Sequence, residues 1–146
     1  MAIIPGAGAT VATWRKGPGS AWAVREFLAH CLGSIQVIPR ELASIRKGRN
    51  MLNLPPRLFN PVRIALGRIA GRLVSPQTIA SKFDAAIDAA LVALETVRDD
   101  EWHKGAHFYG EGYWTVETVF RMQPRHFDEH ATTIREIVRS GSGRVA

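Results

Sequence analysis

Apolar residues recur at steps of three and four along three long parts of the chain, which is the spacing of one face of an α-helix. These stripes cover residues 20–48, 75–98 and 115–139, so we expect a helix in each. Pro39 interrupts the first stripe, but the apolar pattern resumes at Leu42 and therefore predicts a kink rather than an end.

Residues 49–74 form a long connection whose first part is broken by prolines. Its second part, residues 61–74, predicts a short amphipathic helix, because apolar and basic residues separate onto two sides of a helical projection. The apolar side consists of Val62, Ala65, Leu66, Ile69 and Leu73, and the basic side of Arg63, Arg68 and Arg72. Such a helix either contacts a membrane surface or an acidic ligand, or it caps the core as a crossover helix. We favour the core-capping interpretation.

The other segments show no helical periodicity. Residues 1–19 are rich in proline and glycine and predict irregular chain, and the tail, residues 140–146, is expected to fray. Residues 99–113 predict a loop. The aromatic side chains of this loop and of the next residue either pack or line a pocket, and we favour packing for Trp102, Tyr109, Tyr113 and Trp114. No strand pattern is evident. The predicted class is therefore all-α, with one helical domain over residues 20–139.

The composition is that of a soluble globular protein, since 46% of the 146 residues are apolar and 22% are charged. No apolar run approaches the roughly 18–20 residues that a membrane helix needs, so no membrane partner is expected. Residues 2–11 do not predict a signal peptide, because they lack a basic leader and are broken by proline and glycine. The single cysteine, Cys31, excludes an internal disulfide and favours a cytoplasmic location.

Positive charge is concentrated in the first half of the chain. Residues 1–75 contain 11 lysines and arginines against 2 acids, and residues 76–146 contain 8 against 11, which gives the net charge of +6. A basic half raises the possibility of nucleic-acid binding. The basic residues are spread over several segments without a reading motif, so we favour a solvated surface and do not expect a nucleic-acid partner.

Two histidines in the last predicted helix have the spacing of metal ligands. His126 and His130 are four residues apart, so their imidazoles leave one face of the helix one turn apart. Val119 and Ile137 share that face, which indicates that the histidines point inward. By itself this pair is explained equally well by hydrogen-bonded core histidines.

A third histidine changes that balance. His30 lies midway along the first predicted helix, on the flank of its apolar stripe. Three imidazoles form a nitrogen-rich site that suits Zn²⁺, Ni²⁺ or Fe²⁺, and three protein ligands leave a position open, as in catalytic sites. Cys31 is a poor fourth ligand, because neighbouring helical side chains point about 100° apart.

Three segments together resemble the DinB/YfiT family. They are residues 21–30 (AWAVREFLAH), residues 110–116 (GEGYWTV) and residues 126–130 (HFDEH), and the resemblance covers about residues 20–139. It implies a four-helix bundle with a long crossover between the second and third helices. It also implies a divalent metal bound by one histidine of the second helix and by the H-x-x-x-H pair of the fourth. In this sequence those residues are His30, His126 and His130.

The sequence departs from the family in one respect. The family pattern has a further helix before the one that carries the first ligand, whereas only residues 1–19 precede that helix here. Either the first helix is therefore truncated or missing, or another chain supplies its packing. A homodimer is expected to cover the apolar surface that this would expose.

These observations predict a metal-dependent enzyme in which the ion activates water or a low-molecular-weight thiol. Its reaction would be a hydrolysis or a thiol-dependent transfer on a small molecule. The alternative is a non-catalytic metal-binding scaffold or stress-response binding module.

Two further histidines lie in the predicted loop. His103 and His107 are either contacts at the mouth of the site or exposed loop residues, and we favour exposure. Glu129, between the paired histidines, is a candidate to support an imidazole N–H.

Overall fold

The computed structural model describes residues 22–50, 55–108 and 112–142. The elements that these residues form are the helices α1 (Val24–Gln36), α2 (Ile38–Arg46), α3 (Pro56–Leu73), α4 (Ile79–Glu95) and α5 (Val116–Ser142), and the strands β1 (Gly105–Phe108) and β2 (Gly112–Thr115). The mostly helical class is thus confirmed, but the expectation of no strands is wrong. The predicted irregular segment, residues 1–19, and the helix start at Ser20 lie outside the described residues.

The first long apolar stripe folds as two helices instead of one kinked helix. α1 begins after Ala23, whose backbone N–H donates to the Glu26 carboxylate at 2.9 Å. It ends before Val37, whose N–H donates to the Gly33 carbonyl at 3.2 Å. Pro39 is the second residue of α2. In a continuous helix, Pro39 could not donate a backbone hydrogen bond, and its ring would clash with the carbonyl group four residues earlier. The chain therefore breaks at Val37, and the apolar stripe continues on α2.

α3 packs on α1 through glycines. A Cβ atom added at Gly71 would lie 2.7 Å from Cγ and 3.1 Å from Cα of Glu26, and one added at Gly67 would lie 3.2 Å from the Trp22 ring. This close approach uses the face of α3 opposite to its apolar side. The large apolar side chains of that side are exposed, namely Leu58, Val62, Leu66, Ile69 and Leu73. The core-capping interpretation was therefore wrong about the face that α3 buries.

α4 starts later than its sequence pattern predicts. Residues 75–78 form a turn in which the backbone N–H groups of Thr78 and Ile79 both donate to the Ser75 carbonyl, at 3.2 and 3.0 Å. The helix ends at Glu95 instead of continuing to residue 98. Its buried residues are Ile79, Phe83, Ala86, Ala90 and Ala93, so small side chains let it approach α1 and α2 closely.

The predicted loop before the last helix contains an antiparallel β-hairpin. Residue Gly105 pairs with Thr115 and Phe108 with Gly112. Phe108 is fully buried, and the side chain at His107 points to solvent on the other face. Only two side chains of β1 point inward, so the strand shows too few alternations for its period of two to be recognised. The Thr115 hydroxyl then accepts the Thr118 N–H at 3.1 Å, which starts α5 where the sequence predicts it.

Two apolar clusters form the core. The first contains residues of α1, α4 and α5 together with Trp22: Trp22, Val24, Phe27, Leu28, Cys31, Leu32, Ile79, Phe83, Ala86 and Ile134. The second joins α2, α4 and the start of α5 to the hairpin: Ile38, Leu42, Ile45, Ala90, Ala93, Ala106, Phe108, Val116 and Val119. α4 and α5 each contribute to both clusters, so these two helices connect the two ends of the molecule.

A buried carboxylate fixes the end of α2 to the hairpin region. Glu101 is 1% exposed, in a single turn of 3₁₀ helix, Asp99–Glu101. The guanidinium of Arg46 donates to its two oxygens at 3.0 and 2.9 Å, and the backbone N–H of Arg98 donates to it at 3.1 Å. These bonds hold the pKa of Glu101 at about 2, below its ordinary value of 4.5.

The close contact at Gly105 predicts a position that cannot carry a side chain. Gly105→Ala would place a Cβ against the carbonyl oxygen of Trp114 on the paired strand. We expect it to lower the free energy of unfolding by about 1–3 kcal/mol, measured by urea denaturation. The matched control is Gly33→Ala in α1, where a Cβ meets no atom within 4 Å. The control should be neutral or stabilising by about 0.5–1 kcal/mol, and equal losses in both variants would contradict the packing at Gly105.

The environment of Glu101 predicts a pH-dependent contribution to stability. Because its folded-state pKa lies below the unfolded value, its stabilisation is complete above about pH 5 and is lost as pH falls towards 2. Glu101→Gln should therefore be less stable than wild type at pH 7, and the difference should narrow towards pH 2. Urea denaturation at pH 7, 4 and 2.5 tests this, with Glu136→Gln on the exposed side of α5 as the control. A difference that stays constant over this range would contradict the assignment.

Candidate metal centre

Three histidine side chains converge between α1 and α5. Nε2 of His126 lies 3.0 Å from Nε2 of His30 and 3.0 Å from Nε2 of His130. The three candidate ligand atoms all lie within 4.8 Å of one another, and the three side chains are partly buried. The structure therefore brings together the three histidines that the sequence singles out.

Each helix supplies its ligands through its own periodicity. His126 and His130 are one turn apart on α5, and their ring centroids are 4.6 Å apart. His30 lies beside Phe27 and Cys31 on α1, both of which are buried in the first core cluster. Burial of these neighbours turns α1 so that the ring of His30 meets the pair on α5.

Aromatic rings of α1 and of the residue before its N-cap lie against the cluster. The Trp22 ring lies 5.0 Å from the ring of His30, and the Phe27 ring lies 5.3 Å from that of His130. Phe127, next to His126, packs edge-on against Phe83 of α4 at 6.1 Å. The apolar pattern predicts these aromatic residues as core, but their contact with the imidazoles depends on tertiary packing. The contacts of Trp22 and Phe27 restrict the rotation of the His30 and His130 side chains.

Hydrogen bonding alone does not account for the two contacts of His126. A neutral imidazole Nε2 either donates one proton or accepts through one lone pair, and it cannot form a well-aligned bond of this kind to two other Nε2 atoms at once. A shared cation instead uses one lone pair from each ring. The convergence of three Nε2 atoms therefore favours metal ligation over a hydrogen-bonded core.

The spacing of the nitrogen atoms fits a small divalent ion. Zinc–nitrogen bonds of about 2.0–2.1 Å in tetrahedral geometry place two ligand atoms about 3.3 Å apart. The two separations from Nε2 of His126 are 3.0 Å, close to that value, and His30 and His130 lie within 4.8 Å of each other. Within the described ranges, this is the one group of at least three His, Cys, Asp or Glu residues placed to hold an ion. Three imidazoles form it without a carboxylate or a thiol.

Cys31 is separate from this cluster, in agreement with the sequence argument. Its side chain is 2% exposed in the first core cluster, and burial raises the pKa of the thiol to about 12. A thiol ligates metal as the thiolate, which this environment disfavours.

The remaining sequence candidates lie away from the three histidines. His103 and His107 are exposed, and the backbone N–H of His107 donates to the Asn50 side chain. The hairpin ends where α5 starts, and His126 lies about 15 Å further along that helix at 1.5 Å per residue. Glu129 pairs with Arg125 at 2.9 Å and its side chain is 59% exposed, so the structure does not support its expected role beside an imidazole.

The hairpin aromatics support the fold away from the metal ligands. Trp102 and Trp114 pack against the second core cluster, whereas Tyr113 is 57% exposed beside the His107 ring. The two tryptophans thus pack against the core as expected, whereas Tyr113 packs on the outer face of the hairpin, over Gly105 and His107. Tyr109 lies outside the described residues.

Comparison of the chain with protein-family models, curated proteins and solved structures finds no match. The resemblance to the DinB/YfiT family therefore depends on the three sequence segments given above.

The geometry predicts one divalent ion per chain. His126→Ala should abolish zinc binding, because Nε2 of His126 is the atom in contact with both other rings. We expect elemental analysis after dialysis to find one zinc per wild-type chain and none in the variant. Zinc at 100 times its Kd should also stabilise wild type by about 2.7 kcal/mol. His107→Ala is the control, and loss of zinc from both variants or from neither would contradict the site.

Proposed function

We propose that His30, His126 and His130 bind a divalent metal ion and that this protein is a DinB-like metal-dependent enzyme. The observation that supports the proposal is the convergence of three Nε2 atoms from two helices that are far apart in the chain. Zn²⁺, Ni²⁺ and Fe²⁺ all suit imidazole ligands. The substrate would be a small molecule, and the reaction a hydrolysis or a transfer that uses a low-molecular-weight thiol.

The DinB-like arrangement of helices is part of this proposal. α1 carries the first ligand, α5 carries the other two, and α3 lies in the connection between α2 and α4. α1 and α2 would then form the second helix of the bundle, α3 the crossover, and α4 and α5 the third and fourth helices. This assignment agrees with the order of the three motifs along the sequence.

A bound divalent ion would supply Lewis-acid chemistry, lowering the pKa of a water molecule or thiol beside it. The protein contributes position: each imidazole presents a neutral lone pair, and the aromatic rings of Trp22 and Phe27 hold the two outer histidines in place. Three neutral ligands leave the charge of the ion uncompensated, which favours an anionic group of the substrate. Three protein ligands also leave a position for that group.

One observation favours the second candidate, a non-catalytic metal-binding protein. No Asp or Glu of the described residues belongs to the ligand cluster, and Glu129 pairs with Arg125 on the exposed side of α5. A hydrolase commonly uses such a carboxylate to move a proton. A thiol transfer needs it less, because a free thiol has a pKa of about 8.5 and ionises more readily than water.

Turnover with activated esters and with pairs of an electrophile and a thiol distinguishes these candidates. We expect metal-dependent turnover in wild type and a loss of more than about 100-fold in His126→Ala, since even the outer partners of metal ligands contribute 10–100-fold. His107→Ala should retain full activity. Ester cleavage without added thiol would identify a hydrolase, and consumption of the electrophile only with thiol would identify a transferase.

Metal content is measured on the same samples. One ion per chain without turnover across both substrate panels would overturn the enzyme proposal in favour of the scaffold. Turnover that persists in His126→Ala or after metal removal would contradict the assignment of the three histidines.

A further inference from the structure

The outer face of α3 is a continuous apolar stripe on the surface of the protein. Its five large side chains are between 42% and 74% exposed: Leu58, Val62, Leu66, Ile69 and Leu73. At 100° per residue they fall within an arc of about 80° that runs the length of the helix. A stripe of this size on a soluble protein usually marks a contact surface.

The position of the stripe makes it accessible to a flat partner. α3 packs on α1 through Gly67 and Gly71, which lie on the side of the helix opposite to the stripe. The stripe therefore points away from the body of the protein. Leu66 and Ile69, near its middle, are 58% and 55% exposed.

The charge of α3 has one sign. Residues 56–73 contain four arginines and no acidic residue. Arg57, Arg68 and Arg72 are exposed, and at 100° per residue they lie along one flank of the stripe. The half of the chain that contains α3 carries 11 basic residues against 2 acids, so the surrounding charge has the same sign.

We propose that α3 docks this protein on an anionic lipid bilayer. Apolar side chains would enter the boundary between headgroups and acyl chains, and the flanking arginines would contact the negatively charged headgroups. The contact is peripheral: none of the helices in the described part of the chain combines the length and apolar character needed to cross a bilayer. The proposal is independent of the metal site and departs from the expectation that no membrane partner exists.

Charge distinguishes a bilayer from a second copy of the chain. Pairing two α3 helices through their stripes would bring eight arginines together without an acid to neutralise them.

The outer face of α4 also exposes apolar side chains, Leu91 and Val92, but Asp88 and Glu95 lie on the same face. An anionic bilayer repels that face and attracts α3, so the two exposed apolar faces predict opposite behaviour. A nucleic acid would use the arginines but not the stripe.

The test is co-sedimentation of the full chain with vesicles of phosphatidylcholine alone and of phosphatidylcholine with 30% phosphatidylglycerol. We expect binding to the anionic vesicles, little binding to the neutral ones, and weaker binding in 0.5 M NaCl. Leu66→Ser with Ile69→Ser should reduce partitioning by about tenfold or more. Arg68→Glu with Arg72→Glu should reduce it by more than about 25-fold, since each basic residue near an anionic surface contributes roughly fivefold.

Matched controls use the same substitutions elsewhere. Leu91→Ser with Val92→Ser changes two side chains of similar exposure on α4, and Arg135→Glu with Arg139→Glu changes two exposed arginines of α5. Both controls should bind anionic vesicles within about twofold of wild type. Circular dichroism should show the same helix content in all variants, because every substituted residue is exposed.

Several results would overturn the proposal. They are absence of binding to anionic vesicles, equal binding by the α3 variants and wild type, and an equal loss in the α4 control. A second copy of the chain is the alternative partner. Two results together would assign the stripe to a contact between copies: no binding to vesicles, and a dimer in light scattering that the Leu66→Ser, Ile69→Ser variant converts to a monomer. A polyanion such as heparin is the other alternative. If the wild type and the Leu66→Ser, Ile69→Ser variant both bind heparin and neither binds vesicles, α3 recognises polyanions.

Discussion

The packing of α1 against α5 is the interaction on which the candidate site depends. His30 and His126 are 96 residues apart in the chain, yet their Nε2 atoms lie 3.0 Å apart. Neither helix alone provides three ligands. Phe27 and Cys31 on α1 and Ile134 on α5 belong to one buried cluster, so burial of apolar surface holds the imidazoles together without a metal. The energy that assembles the ligands is thus mostly that of the core.

The ligand set could be predicted because each part of it has a local cause. Spacing of four places His126 and His130 on one face of α5, and the apolar neighbours of His30 indicate a position at the edge of the core. Their convergence depends on the relative rotation of two helices, which periodicity does not specify. The aromatic contacts with Trp22 and Phe27 depend on the same rotation.

Sequence patterns predict packing least well where two packing principles compete. On α3 an apolar face and a face with Gly67 and Gly71 were both available to meet α1, and apolar content alone favours the first. The structure buries the glycine face, because it lets the backbone of α3 approach Glu26 more closely than large side chains would permit. The hairpin was missed for a different reason, since β1 has only two inward side chains.

The separation of the two core clusters indicates how the site is kept apart from the rest of the fold. The hairpin, the buried Glu101 and its partner Arg46 hold the end near the second cluster, about 15 Å along α5 from His126. The three ligands depend instead on the first cluster. A change at the hairpin therefore acts first on the second cluster, and it reaches the histidines through α4 and α5, which both contribute to the two clusters. The 27-residue α5 and the neighbouring α4 run past both clusters, and this is what joins them in a single fold.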